Sequence, residues 1–149
     1  MKFILAAAWL LLASAPAGSE GTPECALTIK ASGFRSAKGQ ALAALFNSHD
    51  GFPSKGEKAY RRASAEIKDG AAVFVFSGVP YGDYAASVLH DENSNGRLDS
   101  NWLGIPKEGV GSSKDPATRL GPPSFKDSAF NINSEELEIK ITIRYNRKN

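Results

Sequence analysis

The sequence has little of what most enzyme sites are built from. It holds one cysteine and two histidines in 149 residues. A single cysteine excludes an internal disulfide, and with His49 and His90 scattered along the chain a conventional Cys/His zinc site is not expected. No H-E-x-x-H, G-x-S-x-G or S-x-x-K motif and no glycine-rich phosphate loop occurs, so metalloprotease, serine-hydrolase and nucleotide-binding chemistry have no anchor here. An excess of charge is lacking too. The formal net charge is +2, part of it from Lys2, so nothing in the total argues for attraction to nucleic acid or anionic lipid. No convincing amphipathic helix of ordinary length is present either.

What is present begins with an export pattern. Residues 1–17 carry Lys2, then an apolar core, then small residues, which reads as a secretory signal peptide. Cleavage after Ala15-Pro16-Ala17 starts the remaining chain at Gly18, whereas a cut after Ala13-Ser14-Ala15 leaves an unfavourable Pro16 at the new terminus. The apolar run is too short to span a bilayer, and Cys25 follows Thr22-Pro23-Glu24 instead of a lipoprotein box. Residues 18–149 are therefore expected as one secreted or periplasmic domain of about 130 residues. It should have no stable membrane insertion after signal cleavage, no nucleic-acid partner, and a partner in the cell envelope or outside the cell. Cys25 opens an alternating strand and is expected to be buried and inert.

Alternation dominates the rest. Cys25-Ala26-Leu27-Thr28-Ile29-Lys30-Ala31 has the period of a strand with one face on a core. The short run Ala41-Leu42-Ala43-Ala44-Leu45-Phe46 and the β-branched and aromatic Ala71-Ala72-Val73-Phe74-Val75-Phe76 read as further strands. Tyr84-Ala85-Ala86-Ser87-Val88-Leu89 follows a turn at residues 79–83, and Leu137, Ile139, Ile141, Ile143 and Tyr145 share one face of a closing strand. Residues 55–62 are basic, with Glu57 interrupting, and read as a solvated loop or edge strand. After Asp99 no strand pattern returns until about Ser128, an interval of nearly 30 residues where compact domains use about 4 to 6. The class is all-β: one two-sheet sandwich of about seven strands, immunoglobulin-like or transthyretin-like, with a long ordered loop, a small barrel being the alternative.

The sharpest chemical signal is His90-Asp91-Glu92-Asn93-Ser94-Asn95-Gly96-Arg97-Leu98-Asp99. Oxygen-bearing side chains at alternate positions and a glycine at the sixth reproduce most of an EF-hand calcium loop. On that ruler Asp91, Asn93, Asn95, Arg97 through its carbonyl, and Asp99 are ligands, and Trp102 stands where a bidentate glutamate normally closes the shell. Glu108, Asp115 and Asp83, in that order, are candidates to complete it. With two carboxylates inside the loop, calcium affinity should be weak, about 10⁻⁴ to 10⁻³ M. The same residues also suit Asx-type turns without an ion. His90 adjoins Asp91 and Glu92, yet a continuing strand pleat places it with Tyr84, Ala86 and Val88, where a hydrogen-bonded structural histidine fits. Trp102, Tyr81, Phe125 and Tyr60 are candidates for an exposed aromatic platform, or for a lid over the sandwich end.

The ordered series Gly82-Asp83-Tyr84-Ala85, the residues 90–99 just quoted, Gly104-Ile105-Pro106-Lys107-Glu108-Gly109 and Pro123-Ser124-Phe125-Lys126-Asp127-Ser128-Ala129-Phe130 resembles a bacterial exported family called domain of unknown function 2141. The resemblance extends to Leu45-Phe46-Asn47 and Phe52-Pro53 and implies a small, single-domain, exported β-sandwich with no established activity. After Glu108 the family more often looks like aromatic-Gly-aromatic-Ser, where this chain has Val110-Gly111-Ser112-Ser113. Glu108 is kept, which favours it as a closing ligand or as an anchor for the long loop.

Taken together, a non-enzymatic exported sandwich is expected, whose calcium-type loop orders a recognition surface. An envelope glycan or peptide hydrolase using His90 and nearby carboxylates, and a structural assembly module pairing through edge strands, are the alternatives.

Overall fold

A computed structural model describes residues 21–117 and 121–146, and these form an eight-stranded, two-sheet β-sandwich. The strands are β1 (Glu24–Ser32), β2 (Gln40–Phe46), β3 (Arg61–Ala65), β4 (Ala71–Pro80), β5 (Gly82–Asp91), β6 (Val110–Ser112), β7 (Phe130–Ile132) and β8 (Glu136–Thr142). One sheet has the order β4-β1-β8, with β1 antiparallel to β4 and parallel to β8. The other runs β3-β2-β5-β6, all antiparallel, and β7 pairs with the start of β5. Residues 1–17, read above as a signal peptide, lie outside the described residues. No helix among the described residues is long and apolar enough to cross a membrane.

The alternation in β1 puts one of its faces on the core, and pairing on both edges makes it the central strand of its sheet. Cys25, Leu27, Ile29 and Ala31 are buried, while Thr28 and Lys30 face out. Leu137, Ile139 and Ile141 of β8 stand in register with Leu27, Ile29 and Ala31, so both strands feed one hydrophobic layer. Each fully buried Leu or Ile contributes about 1.5–3 kcal/mol. The Cys25 thiol is among the buried groups, and burial pushes its pKa up, as expected of an inert cysteine.

The run in β2 does not alternate because both of its faces are covered. Ala41, Ala43 and Leu45 join the core between the sheets. On the other face Phe46 meets Phe52 edge to face at 5.3 Å, and Phe52 meets Phe125 at 5.9 Å. Phe125 opens the single helical turn α1 (Phe125–Ser128), whose first turn is capped by Ser124 Oγ accepting from the Asp127 N–H. The basic residues 55–62 form a 3-10 turn at Gly56–Lys58 and the first residues of edge strand β3. Arg61 there donates to the Ser77 and Gly78 carbonyls of β4, tying the edges of the two sheets.

Several boundaries differ from the sequence expectation: the turn expected at residues 79–83 shrinks to Tyr81 between β4 and β5, and β8 ends at Thr142, short of Tyr145. The interval after Asp99 is not strandless: β6 pairs with β5 over residues 87–89, and α1 precedes β7. Two of the three residues of β6 are Gly111 and Ser112, so it shows no apolar period and exists through its pairing alone. Gly111 is required there, since a Cβ would lie 2.6 Å from the Thr142 carbonyl oxygen. Ser128 belongs to the helical turn, and the strand expected from it begins only at Phe130.

Candidate functional site

Strand β5 ends in His90 and Asp91, both at 0% exposure. His90 points into the sandwich, as the pleat requires. Its Nε2 lies 2.7 Å from the Lys38 carbonyl, which only accepts, so Nε2 carries the hydrogen. In the neutral ring Nδ1 then accepts from the Tyr145 hydroxyl at 2.7 Å, and that hydroxyl accepts from the Arg35 backbone N–H at 3.0 Å. Phe34 closes the imidazole edge to face at 5.4 Å. A buried ring with both nitrogens committed is not available to substrate as a general base.

Asp91 caps the loop that follows. Its Oδ1 accepts from the Asn95 N–H (3.0 Å), and its Oδ2 from the Gly96 N–H (2.9 Å) and from Gln40 Nε2 (2.9 Å). Gly96 at φ +79° and Ser94 at φ +55° make the sharp reversal that aims these amides back at the carboxylate. The next two turns repeat the device: Asn93 Oδ1 accepts from Asn95 N–H, and Asn95 Oδ1 from Arg97 N–H. The side-chain amides of Asn93 and Asn95 both donate to Asp99 Oδ2, at 2.6 and 2.9 Å.

Glu108, the candidate to complete the loop, is only 5% exposed and bridges its two ends. Oε1 accepts from the Glu92 N–H at 3.0 Å and Oε2 from the Asp99 N–H at 3.1 Å. Burial holds its pKa above the ordinary glutamate value, and the charges of Asp99 and Asp91 push the same way, against the two amides. Glu92 is pulled the other way by a two-pronged pair with Arg35, at 2.6 and 2.9 Å. Beyond Asp99 the chain makes a small hairpin. Ser100 opposes Pro106, Lys107 N–H donates to Asp99 O, and Asn101 N–H donates to Ile105 O. Asn101 Oδ1 accepts from Leu103 and Ile105 N–H, and Gly104 turns at φ +75°. At the apex Trp102 is 91% and Leu103 61% exposed.

A family profile matches residues 29–140, well over half of the chain; the family is described as an uncharacterized protein conserved in bacteria, domain of unknown function 2141. The chain belongs to this family. No curated protein and no solved structure matches it.

In this family member the loop residues singled out by spacing, Asp91, Asn93, Asn95, Arg97 and Asp99, do gather with Glu108 at one end of the sandwich, joined by the bonds just described. The other two closing candidates are elsewhere: Asp115 binds the Thr142 N–H and hydroxyl, and Asp83 accepts from Asn131. The four aromatics do not form one platform. Phe125 packs on Phe52, Tyr60 lies beside Tyr84, Tyr81 is partly exposed at the turn between β4 and β5, and Trp102 is almost fully exposed at the hairpin apex. Among the described residues no group of three or more His, Cys, Asp or Glu side chains is arranged to hold a metal, and no buried side-chain nitrogen or oxygen lacks a hydrogen-bond partner. The loop thus closes by its own hydrogen bonds. A calcium ion at Asp99 would compete with the two asparagine amides bound there.

Residues that spacing alone does not point to complete the support. Gln40, Arg35, Lys38 and Tyr145 each touch the loop root from 51 or more residues away in sequence. Gly39, at φ +71°, lies so close to the Asp91 carbonyl oxygen that no Cβ fits. Its only local signal is the Ser36-Ala37-Lys38-Gly39 turn cluster, which says nothing of what it packs against.

Proposed function

We propose that this protein is an exported, non-enzymatic binding module that uses the hairpin over residues 99–107 as its recognition surface, with the 91–99 loop as a weak calcium site that stiffens the stem. The observation that carries this reading is the contrast along one short segment. Trp102 stands almost fully exposed and Leu103 largely so, while the base beneath them is fastened by the buried carboxylates of Asp91 and Glu108. Holding a large apolar side chain in water on a fixed base costs solvation and chain entropy, and such exposure marks interaction sites. Calcium enters because oxygen-bearing side chains recur at alternate loop positions, Asp91, Asn93, Asn95 and Asp99, with Glu108 bonded to both ends of the loop.

The test is a thermal melt with and without the ion. If Kd is about 0.5 mM, 5 mM calcium stabilises by about 1.4 kcal/mol, a rise of about 5 °C for a domain of this size. Asp91→Ala with Asp99→Ala should abolish the rise. No calcium effect at several-fold extracellular concentrations removes the ion from the reading.

A further inference from the structure

The near-neutral total charge conceals a segregation at this end of the sandwich. Residues 90–110 contain four carboxylates and two fixed cations. All four carboxylates are drawn inward: Asp91 and Glu108 are buried on backbone amides, Asp99 is half-buried under two asparagine amides, and Glu92 is half-buried against Arg35. Both cations, Arg97 and Lys107, are exposed. Lys107 pairs with Asp99 in the hairpin stem and Arg97 lies two residues before Asp99 in the chain, while Trp102 and Leu103 occupy the apex. The segment therefore exposes an apolar tip, and the charges it leaves exposed are both cationic.

We infer that this tip docks on an anionic lipid bilayer surface, Trp102 and Leu103 entering the interfacial layer while Arg97 and Lys107 meet headgroup phosphates. The inference rests on the recognition surface proposed above but not on its calcium ion. Three physical points favour a bilayer over other occupants. A tryptophan at 91% exposure has no walls around it, so a small ligand would touch one ring only, whereas binding sites for small molecules are concave. Trp102 and Leu103 together offer on the order of 400 Å² of side chain, short of the ~800 Å² per partner of a stable protein interface. A membrane interface asks for less: an amphipathic aromatic, an aliphatic neighbour and nearby basic residues give reversible attachment.

The test uses the exported protein, with Trp102 fluorescence isolated from any Trp9 signal by subtraction of the Trp102→Phe spectrum. Phosphatidylglycerol-rich vesicles should shift the Trp102 emission to the blue and sediment the protein, and phosphatidylcholine vesicles should do neither. Arg97→Gln with Lys107→Gln should weaken binding about 30-fold at low salt, each charge being worth about 1 kcal/mol near the surface. Trp102→Ala with Leu103→Ala should lower it at least tenfold, with an unchanged melt showing intact folding. The inference is overturned if anionic vesicles give no shift, if phosphatidylcholine binds equally, or if the apex double variant binds as the parent does. It is also overturned if a soluble anionic polysaccharide produces the shift and vesicles do not. Running each arm in chelator and in calcium separates the two ideas: vesicle binding in chelator without any calcium-induced melt shift removes only the ion, and a calcium melt shift without vesicle binding removes only the lipid.

Discussion

Replacing Glu108 by Ala should release the loop while leaving the sandwich folded. Its carboxylate accepts the N–H groups of Glu92 and Asp99, and each hydrogen bond to a charged acceptor is worth about 1.5–3 kcal/mol. Part of the sum is offset because the carboxylate is held buried near Asp91 and Asp99, so a net loss of about 2–4 kcal/mol is expected. The loss should be local. Asp91 belongs to β5 and Gly109 is held by the His90 N–H at 2.8 Å, so residues 92–108 can open between two fixed points without dismantling a sheet. Amide hydrogen exchange is the matching assay: the Glu92 and Asp99 amides should exchange about 30- to 800-fold faster, with a smaller effect on the core strands. Glu108→Gln keeps one oxygen and turns an NH₂ toward the other amide, so its effect should be intermediate. Exchange at both amides within about threefold of the parent in Glu108→Ala would refute the idea that this carboxylate fastens the loop.

Tyr145→Phe removes the hydroxyl shared by Arg35 N–H and His90 Nδ1 and should cost about 1–3 kcal/mol in urea unfolding, because a buried ring nitrogen loses its donor. Gly39→Ala combines a left-handed backbone with a Cβ driven into the Asp91 carbonyl; a loss above about 2 kcal/mol is expected, and a neutral result would place residue 39 differently. Glu108 binds its proton more tightly folded than unfolded, so its contribution is largest at and below the ordinary value of 4.5 and declines as pH rises through the raised folded value. The melting difference between parent and Glu108→Gln should therefore shrink across that window, and a difference that grows with pH refutes burial as the dominant cause. Glu92, lowered by Arg35, has the opposite sign: its contribution is present above 4.5 and is lost as pH falls through the depressed value, which Arg35→Gln should abolish.

The strands that carry a full period were legible. Residues 25–31 and 137–145 alternate because one face meets the core and the other meets water, and the same pleat placed His90 inside. Glu108 was legible as the residue tied to the first loop. Strand β6 was not, since a three-residue strand with a glycine at its centre has no period to read. The Arg35–Glu92 and Gln40–Asp91 contacts were equally invisible, because pairings across 57 and 51 residues leave no local trace. The ligand row itself is ambiguous for a chemical reason. Inward oxygens at alternate positions around a glycine serve a cation, and they serve backbone N–H groups in successive Asx turns equally well.

That ambiguity bears on what an ion can do here. Glu92, the first residue past β5, is held twice: its N–H by Glu108, and its carboxylate by Arg35. The Arg35 guanidinium lies 4.6 Å from the centre of the Tyr145 ring, whose hydroxyl in turn binds His90 on the sandwich floor. The root of the loop is thus continuous with the core by bonds that need no cation. Asp99 is held by its N–H on Glu108 and by its carboxylate under two asparagine amides, and it begins the stem of the hairpin that lifts Trp102. Calcium of the expected affinity would exchange those two amide contacts for ion contacts at Asp99, so its effect should fall on exchange rates of residues 93–101 and on the Trp102 emission. The amides of β1, β2 and the His90 network should stay as they are, which separates an ion that tightens a stem from one that folds a domain.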